Sequence, residues 1–196
     1  ETIEVEMMSM IIVPFLTAFT FVFLAELGDK TQLTAVVLSS KSSATSVFAG
    51  SMLAFFLVDG VSALVGGQLL SFLPYKWVSL GSGLVFITFG TFQLIRKKEK
   101  VKVEKQRATF LKTFSLISLM ELGDKTQLAS IVLAAELKNP LIVLAGVMLA
   151  FSVVTGIGVM LGAKLLRLVP EKYLKVGTSL LFILFGFIFI LSAITE

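Results

Sequence analysis

Six apolar runs, each reaching the ~20 residues a helix needs to cross ~30 Å of hydrocarbon, dominate this sequence. They fall at roughly 10–40, 45–70, 76–95, 109–136, 140–166 and 172–194. The breaks between them read SSKSSAT, LPYKW, a basic stretch, ELKNP and VPEKY. With 56% hydrophobic residues and 18 Phe in a chain of 196, a soluble fold could not hide its apolar surface. The expectation is an all-α integral membrane protein with six transmembrane helices. Pro74, Pro140 and Pro170 stand where helices begin, and Trp77 and Tyr173 where aromatic rings mark a membrane interface.

The second constraint is a repeated interruption. LAELGDKTQL at 24–33 returns as LMELGDKTQL at 119–128, each inside an apolar run. The repeat extends beyond the motif: at an offset of 95, then 96, Gly50 meets Gly146, Ala54 meets Ala150, Gly60 meets Gly156, Pro74 meets Pro170 and Gly90 meets Gly186. The chain therefore reads as a first three-helix repeat at 1–95, a basic linker at 96–108 and a second repeat at 109–196. An odd number of spans per half turns the second copy upside down, as in the inverted repeats of many secondary transporters. Seven of the 17 basic residues lie in RKKEKVKVEKQR at 96–107, which reads as a cytoplasmic loop and not a nucleic-acid-binding face. With Lys41, Lys164, Arg167, Lys172 and Lys175 on the same side, the termini fall outside.

Both motifs lie near the middle of their spans, where an ionisable residue costs at least ~2.5 kcal/mol and is functional by default. Three-residue spacing puts Glu26, Asp29 and Gln32 on one helical face, and likewise Glu121, Asp124 and Gln127. Gly28 and Gly123 weaken the helix locally and favour a break. The chain has no Cys and no His, so a metal here is taken by oxygen, and four carboxylates with amide and hydroxyl oxygens suit Ca²⁺ or Mn²⁺. A structural alternative has Lys30 and Lys125 pairing with the carboxylates as glue between helices. Two lysines do not balance four carboxylates, however, and the remaining charge of −2 matches one divalent cation or two protons.

Glu-x-Gly-Asp-Lys-Thr, twice in six hydrophobic spans, resembles the Gdt-type cation/proton exchangers, whose members move Ca²⁺ and Mn²⁺ in bacterial, chloroplast and Golgi membranes. The resemblance covers nearly the whole chain. It implies ion binding at Glu26, Asp29, Glu121 and Asp124, with Lys30, Thr31, Lys125 and Thr126 completing the signature. It also implies Mn²⁺ or Ca²⁺ as transported ions with protons as countersubstrate, no permanently bound cofactor, a lipid-bilayer setting, and, from the small size, a bacterial plasma membrane. Asp59 breaks the repeat, since its counterpart is Thr155; it reads as a proton relay, an extra ion contact, an acid bonded to a neighbouring helix, or one carried neutral by protonation. Met120, which replaces Ala25, reads as a soft ligand or as packing. Two other functions fit the spans: an exporter of amino acids or other small organic solutes, and an intramembrane aspartyl protease. The protease needs two aspartates sharing a proton; here each Asp arrives with its own Glu, Lys and Thr.

Overall fold

The computed structural model describes residues 2–40, 42–95, 109–161 and 171–195. The basic linker, Lys41, Pro170 and the end of the expected fifth span lie outside the described residues. Within them every element is helical. In chain order these are α1 (Thr2–Glu26), α2 (Lys30–Ser39), α3 (Ala44–Phe55), a π-turn (Phe56–Gly60), α4 (Val61–Leu70), α5 (Tyr75–Ile95), α6 (Phe110–Glu121), α7 (Lys125–Glu136), α8 (Pro140–Leu161) and α9 (Glu171–Thr195).

Five stretches among the described residues are long and apolar enough to cross a membrane: Met8–Glu26, Ala44–Leu70, Tyr75–Ile95, Pro140–Met160 and Lys172–Thr195. The expected fourth span differs. It is α6 and α7, two helices of 12 residues each, broken at the second motif; the expected first span is broken in the same way between α1 and α2. Gly28 and Gly123 cause both breaks, with φ of +70° and +75°. A helix cannot pass through such a residue, and glycine adopts the left-handed conformation without a side-chain clash.

Polarity is distributed as a membrane requires. Leu16, Leu69, Trp77, Leu84, Leu119, Tyr173 and Leu191 are more than half exposed, whereas Glu26, Thr31, Asp59, Glu121, Thr126 and Ser130 are buried. Buried apolar residues bind the bundle together, including Phe21, Phe86 and Phe182 with ring centroids about 5 Å apart.

The main helix pairings all join the first half to the second: α1 packs along α8, α3 along α6, α4 along α7 and α5 along α9. Positions equivalent in the repeat meet each other: Phe55 stacks on Phe151 with centroids 3.9 Å apart, and Phe86 lies 5.1 Å from Phe182. Gly50 faces the backbone of Phe110 and Gly146 that of Phe15, so any side chain at either glycine would collide with a main chain. The small residues of the repeat thus let helices of opposite halves touch.

Candidate metal centre

Each motif folds into a tight turn between two half-helices. In the first, Asp29 N–H donates to Glu26 O at 3.0 Å and Leu33 N–H to Asp29 O at 3.0 Å. The second repeats it, with Asp124 N–H to Glu121 O at 2.9 Å and Leu128 N–H to Asp124 O at 3.3 Å. The glutamines close the turns: Gly28 N–H donates to Gln32 Oε1 and Gly123 N–H to Gln127 Oε1, both at 2.7 Å. Glu26, Asp29 and Gln32 therefore do not share a face of one continuous helix, as three-residue spacing led us to expect. Glu26 ends α1, Asp29 precedes α2 and Gln32 lies in its first turn. The break, rather than helical periodicity, is what gathers them.

Each turn also brings one helix C-terminus and one helix N-terminus to the site, from α1 and α2 in one case and α6 and α7 in the other. The α2 and α7 N-termini attract negative charge. Yet neither Asp29 nor Asp124, which stand at the N-cap positions, makes a side-chain capping bond to its own helix. Their carboxylates cross to the other motif: Lys30 Nζ pairs with Asp124 Oδ1 at 2.9 Å, and Lys125 Nζ with Asp29 Oδ1 at 2.8 Å. The lysines thus join the two motifs, whereas the structural alternative has each motif neutralising itself through its own lysine.

The pairs are unequal in exposure. The Lys125 side chain is 10% exposed and that of Lys30 40%. The glutamates are unequal in bonding. Thr31 Oγ1 donates to Glu121 Oε1, and Thr126 Oγ1 to Glu121 Oε2 at 3.1 Å. Glu26, just as buried, has its Oε1 without a hydrogen-bond partner, and the same holds for Asp29 Oδ2 and Asp124 Oδ2.

Glu26, Glu121 and Asp124 each offer a carboxylate oxygen, and these three oxygens lie within 4.8 Å of one another. That spacing admits a cation bridged by oxygens at the 2.3–2.6 Å typical of Ca²⁺. Asp29 stands beside this group, held by Lys125. The Gln32 and Gln127 oxygens hold the turns, and each retains a second lone pair. Their amide nitrogens bind the middle spans, Gln32 Nε2 donating to Val154 O at 3.1 Å and Gln127 Nε2 to Ser62 Oγ at 2.8 Å. Asp59 is fully buried nearby in the π-turn, with both carboxylate oxygens unpartnered. Met120 is partly buried on α6, and no described contact brings its sulfur to the carboxylates.

Sequence reasoning missed Glu136, which sits in the ELKNP break. It is buried at the end of α7, where its Oε2 accepts from Ser79 Oγ at 2.6 Å. Next to it Lys138 places its ammonium 4.3 Å from the centre of the Tyr75 ring. A helical count would have found it: eleven residues after Lys125, Glu136 returns to the same face of α7.

Comparison with known proteins identifies the family. The family model described as "Divalent cation/proton antiporter GDT1" matches the chain twice, over residues 14–101 and 109–196. A GDT1-like protein of Synechocystis, sll0615, is 30% identical over 87% of this chain and 95% of its own length. GDT1-like protein 5 of Arabidopsis thaliana is 27% identical over 88% of this chain and 92% of its own. The divalent cation/proton antiporter GDT1 of Saccharomyces cerevisiae is 21% identical over 92% and 84%. No solved structure gives a significant match. A family defined by antiport is one of transporters and not of enzymes, which sets the protease alternative aside. With one family model covering each half, and each half carrying a complete motif, the chain belongs to the divalent cation/proton antiporter GDT1 family.

Proposed function

We propose that this multi-pass membrane antiporter exchanges Mn²⁺ and/or Ca²⁺ for protons by alternating access at the point where its two motifs meet. In this reading Glu26, Asp29, Glu121 and Asp124 hold the ion, Gln32 and Gln127 hold the turns beside it, and Lys30 and Lys125 lock the motifs together while Thr31 and Thr126 orient Glu121. The chain makes six spans as two inverted three-helix repeats, 1–95 and 109–196, with both termini outside and the 96–108 linker cytoplasmic, in a bacterial plasma membrane. The observation that carries the reading is the convergence of two buried carboxylates, Glu26 and Glu121, and the partly buried Asp124 from two distant segments, some of their oxygens unpartnered.

Charge supplies the coupling. Four carboxylates and two lysines sum to −2. One divalent cation neutralises this, and an ion-free carrier that must reorient through a low-dielectric interior needs protons in its place. Two protons per divalent ion keep the charge of the site constant. Because metal and proton compete for the same oxygens, metal affinity falls as pH drops and rises as pH increases.

Flux in proteoliposomes containing a pH-sensitive dye tests this. An imposed pH gradient should drive Mn²⁺ or Ca²⁺ uphill with counterflow of protons, and Glu26→Gln or Glu121→Gln should each abolish flux while the protein remains folded. Uphill transport that persists with the pH gradient collapsed and only a membrane potential remaining would refute the coupling. Normal flux in either neutralised variant would refute the shared site.

A further inference from the structure

The two glutamines close their turns alike but are anchored differently. A glycine N–H only donates, so each glutamine turns its oxygen to Gly28 or Gly123 and its nitrogen away, toward the middle span of the opposite half. Gln32 Nε2 finds a main-chain acceptor there, Val154 O, whereas Gln127 Nε2 finds a side chain, Ser62 Oγ. In the repeat Val58 corresponds to Val154 and Ser62 to Gly158. A Cβ at Gly158 would stand 3.3 Å from Gln32 Cγ, so the bare glycine leaves Gln32 room to reach the backbone of α8. Val58 lies inside the π-turn, where backbone bonds run to the fifth residue on, and Gln127 bonds instead to the serine four residues later.

Ser62 stands at a fixed point. Farther along the same α4–α7 seam, a Cβ at Gly66 would come within 2.7 Å of Ile131 Cγ2, and one at Gly67 within 2.7 Å of Ala134 Cβ, so the two helices touch closely. The turn that Gln127 ties down has little else over it. Nothing lies within 4 Å of a Cβ at Gly123, and Leu122 beside it is 59% exposed. The first turn, by contrast, is covered at Gly28 by Leu174, and Thr178 Oγ1 donates to Leu24 O just ahead of it at 3.4 Å. Gly123 directly precedes Asp124, a member of the close group of carboxylate oxygens, whose ion-pair partner Lys30 is itself 40% exposed.

We propose that Ser62 is a positioning residue for cation binding: its hydroxyl, acting through Gln127 and the Gly123 N–H, fixes the second turn and with it the Asp124 carboxylate. This rests on the reading that the motif carboxylates bind the ion, and it deepens that reading by giving the middle span of the first half a part in shaping the site. Groups one bond removed from a metal ligand orient it and so tune its affinity. In the other half the same task falls to a backbone carbonyl, which no side-chain substitution removes. The second turn alone therefore depends on one hydroxyl.

Mn²⁺ binding to the purified full-length protein in detergent, read as loss of the free aquo-ion signal in electron paramagnetic resonance at fixed pH, tests the proposal beside flux in proteoliposomes. Ser62→Ala should weaken Mn²⁺ binding and raise the KM for flux by roughly tenfold, with kcat changed little. Ser62→Thr, which keeps the hydroxyl, should restore both. Thermal unfolding of each variant separates lost affinity from lost fold, and Ser62→Gly, which copies Gly158 of the other half, serves as a second hydroxyl-free variant if alanine disturbs the seam. Wild-type Mn²⁺ affinity in a folded hydroxyl-free variant, or a folded threonine variant as weak as the alanine one, would overturn the assignment of Ser62. Glu121→Gln, measured alongside, separates this from the parent reading. If it loses Mn²⁺ while Ser62→Ala does not, Ser62 alone is misassigned; if it binds Mn²⁺ as wild type does, the failure lies with the motif site itself.

Discussion

Two glutamates identical in sequence context end up with different environments. Glu121 receives both threonine hydroxyls, while Glu26 Oε1 has no partner. No reading of the doubled motif distinguishes them, because the difference arises from how the halves are seated and not from the local sequence. What the residues do restrict is the donor set: without Cys or His, oxygen atoms and a Met thioether are the donors left for the proposed site. The lysines show the same inequality in energetic form. Lys125, 10% exposed, makes the more enclosed of the two pairs, and breaking that pair should approach the ~3–5 kcal/mol of a buried one. Removing Lys30, whose side chain is 40% exposed, should cost much less, closer to the ~0–1 kcal/mol of an exposed pair. Thermal unfolding in detergent should therefore rank Lys125→Met well below Lys30→Met, and Asp29→Asn added to Lys125→Met should recover part of the loss. Equal unfolding temperatures for the two single variants would show that the pairs are equivalent in solution.

Among the elements, apolar run length located the unbroken helices best, because a membrane fixes how long such a run must be; α1 begins at Thr2, well before the expected start near 10. Tyr75–Ile95 and Pro140 as a helix start were both legible in this way. The half-helices were only partly so. Gly28 and Gly123 signalled weakness, but a glycine in a helix is compatible with continuity, and only the tertiary gain of bringing the two motifs together decides for a break. Glu136 shows the opposite error, a charged residue in a polar break that the fold nevertheless buries. The broken elements give a graded prediction. Alanine at either turn glycine pays the left-handed penalty of ~1–2 kcal/mol. At Gly28 a side chain would also collide with Leu174, whereas nothing stands close to Gly123. Gly28→Ala should thus lower both unfolding temperature and ion flux more than Gly123→Ala. Asparagine, which tolerates positive φ, should be accepted at 123 and rejected at 28. The reverse order in a thermal-shift and flux comparison would mean that α9 does not press on the first turn.

In the whole molecule the halves are interlocked rather than apposed, since every principal helix pairing crosses between them. The duplication was legible in the sequence; the interlocking was not, because pairing partners depend on packing across large separations that a single sequence does not encode locally. The proposed orientation is tested on intact cells with a membrane-impermeant thiol reagent, which the absence of native cysteine makes clean. Lys100→Cys should react only after the cytoplasmic side is opened and Thr2→Cys from the outside directly. Labelling of both from the same side would exclude the inverted arrangement.

The crossed pairing of each lysine with the other motif's aspartate also has a consequence in time. A ribosome writes the first motif 95 residues before the second, a lag on the order of 5–20 s at ~5–20 residues per second. Throughout that interval Asp29 and Lys30 are without the partners that will hold them, and Phe55 and Gly50 lack the surfaces they will cover. A polypeptide that stops in the linker never leaves this condition. It never gains the helices that α1, α3, α4 and α5 pack along, so a nonsense mutation after the first half should yield not half a transporter but none.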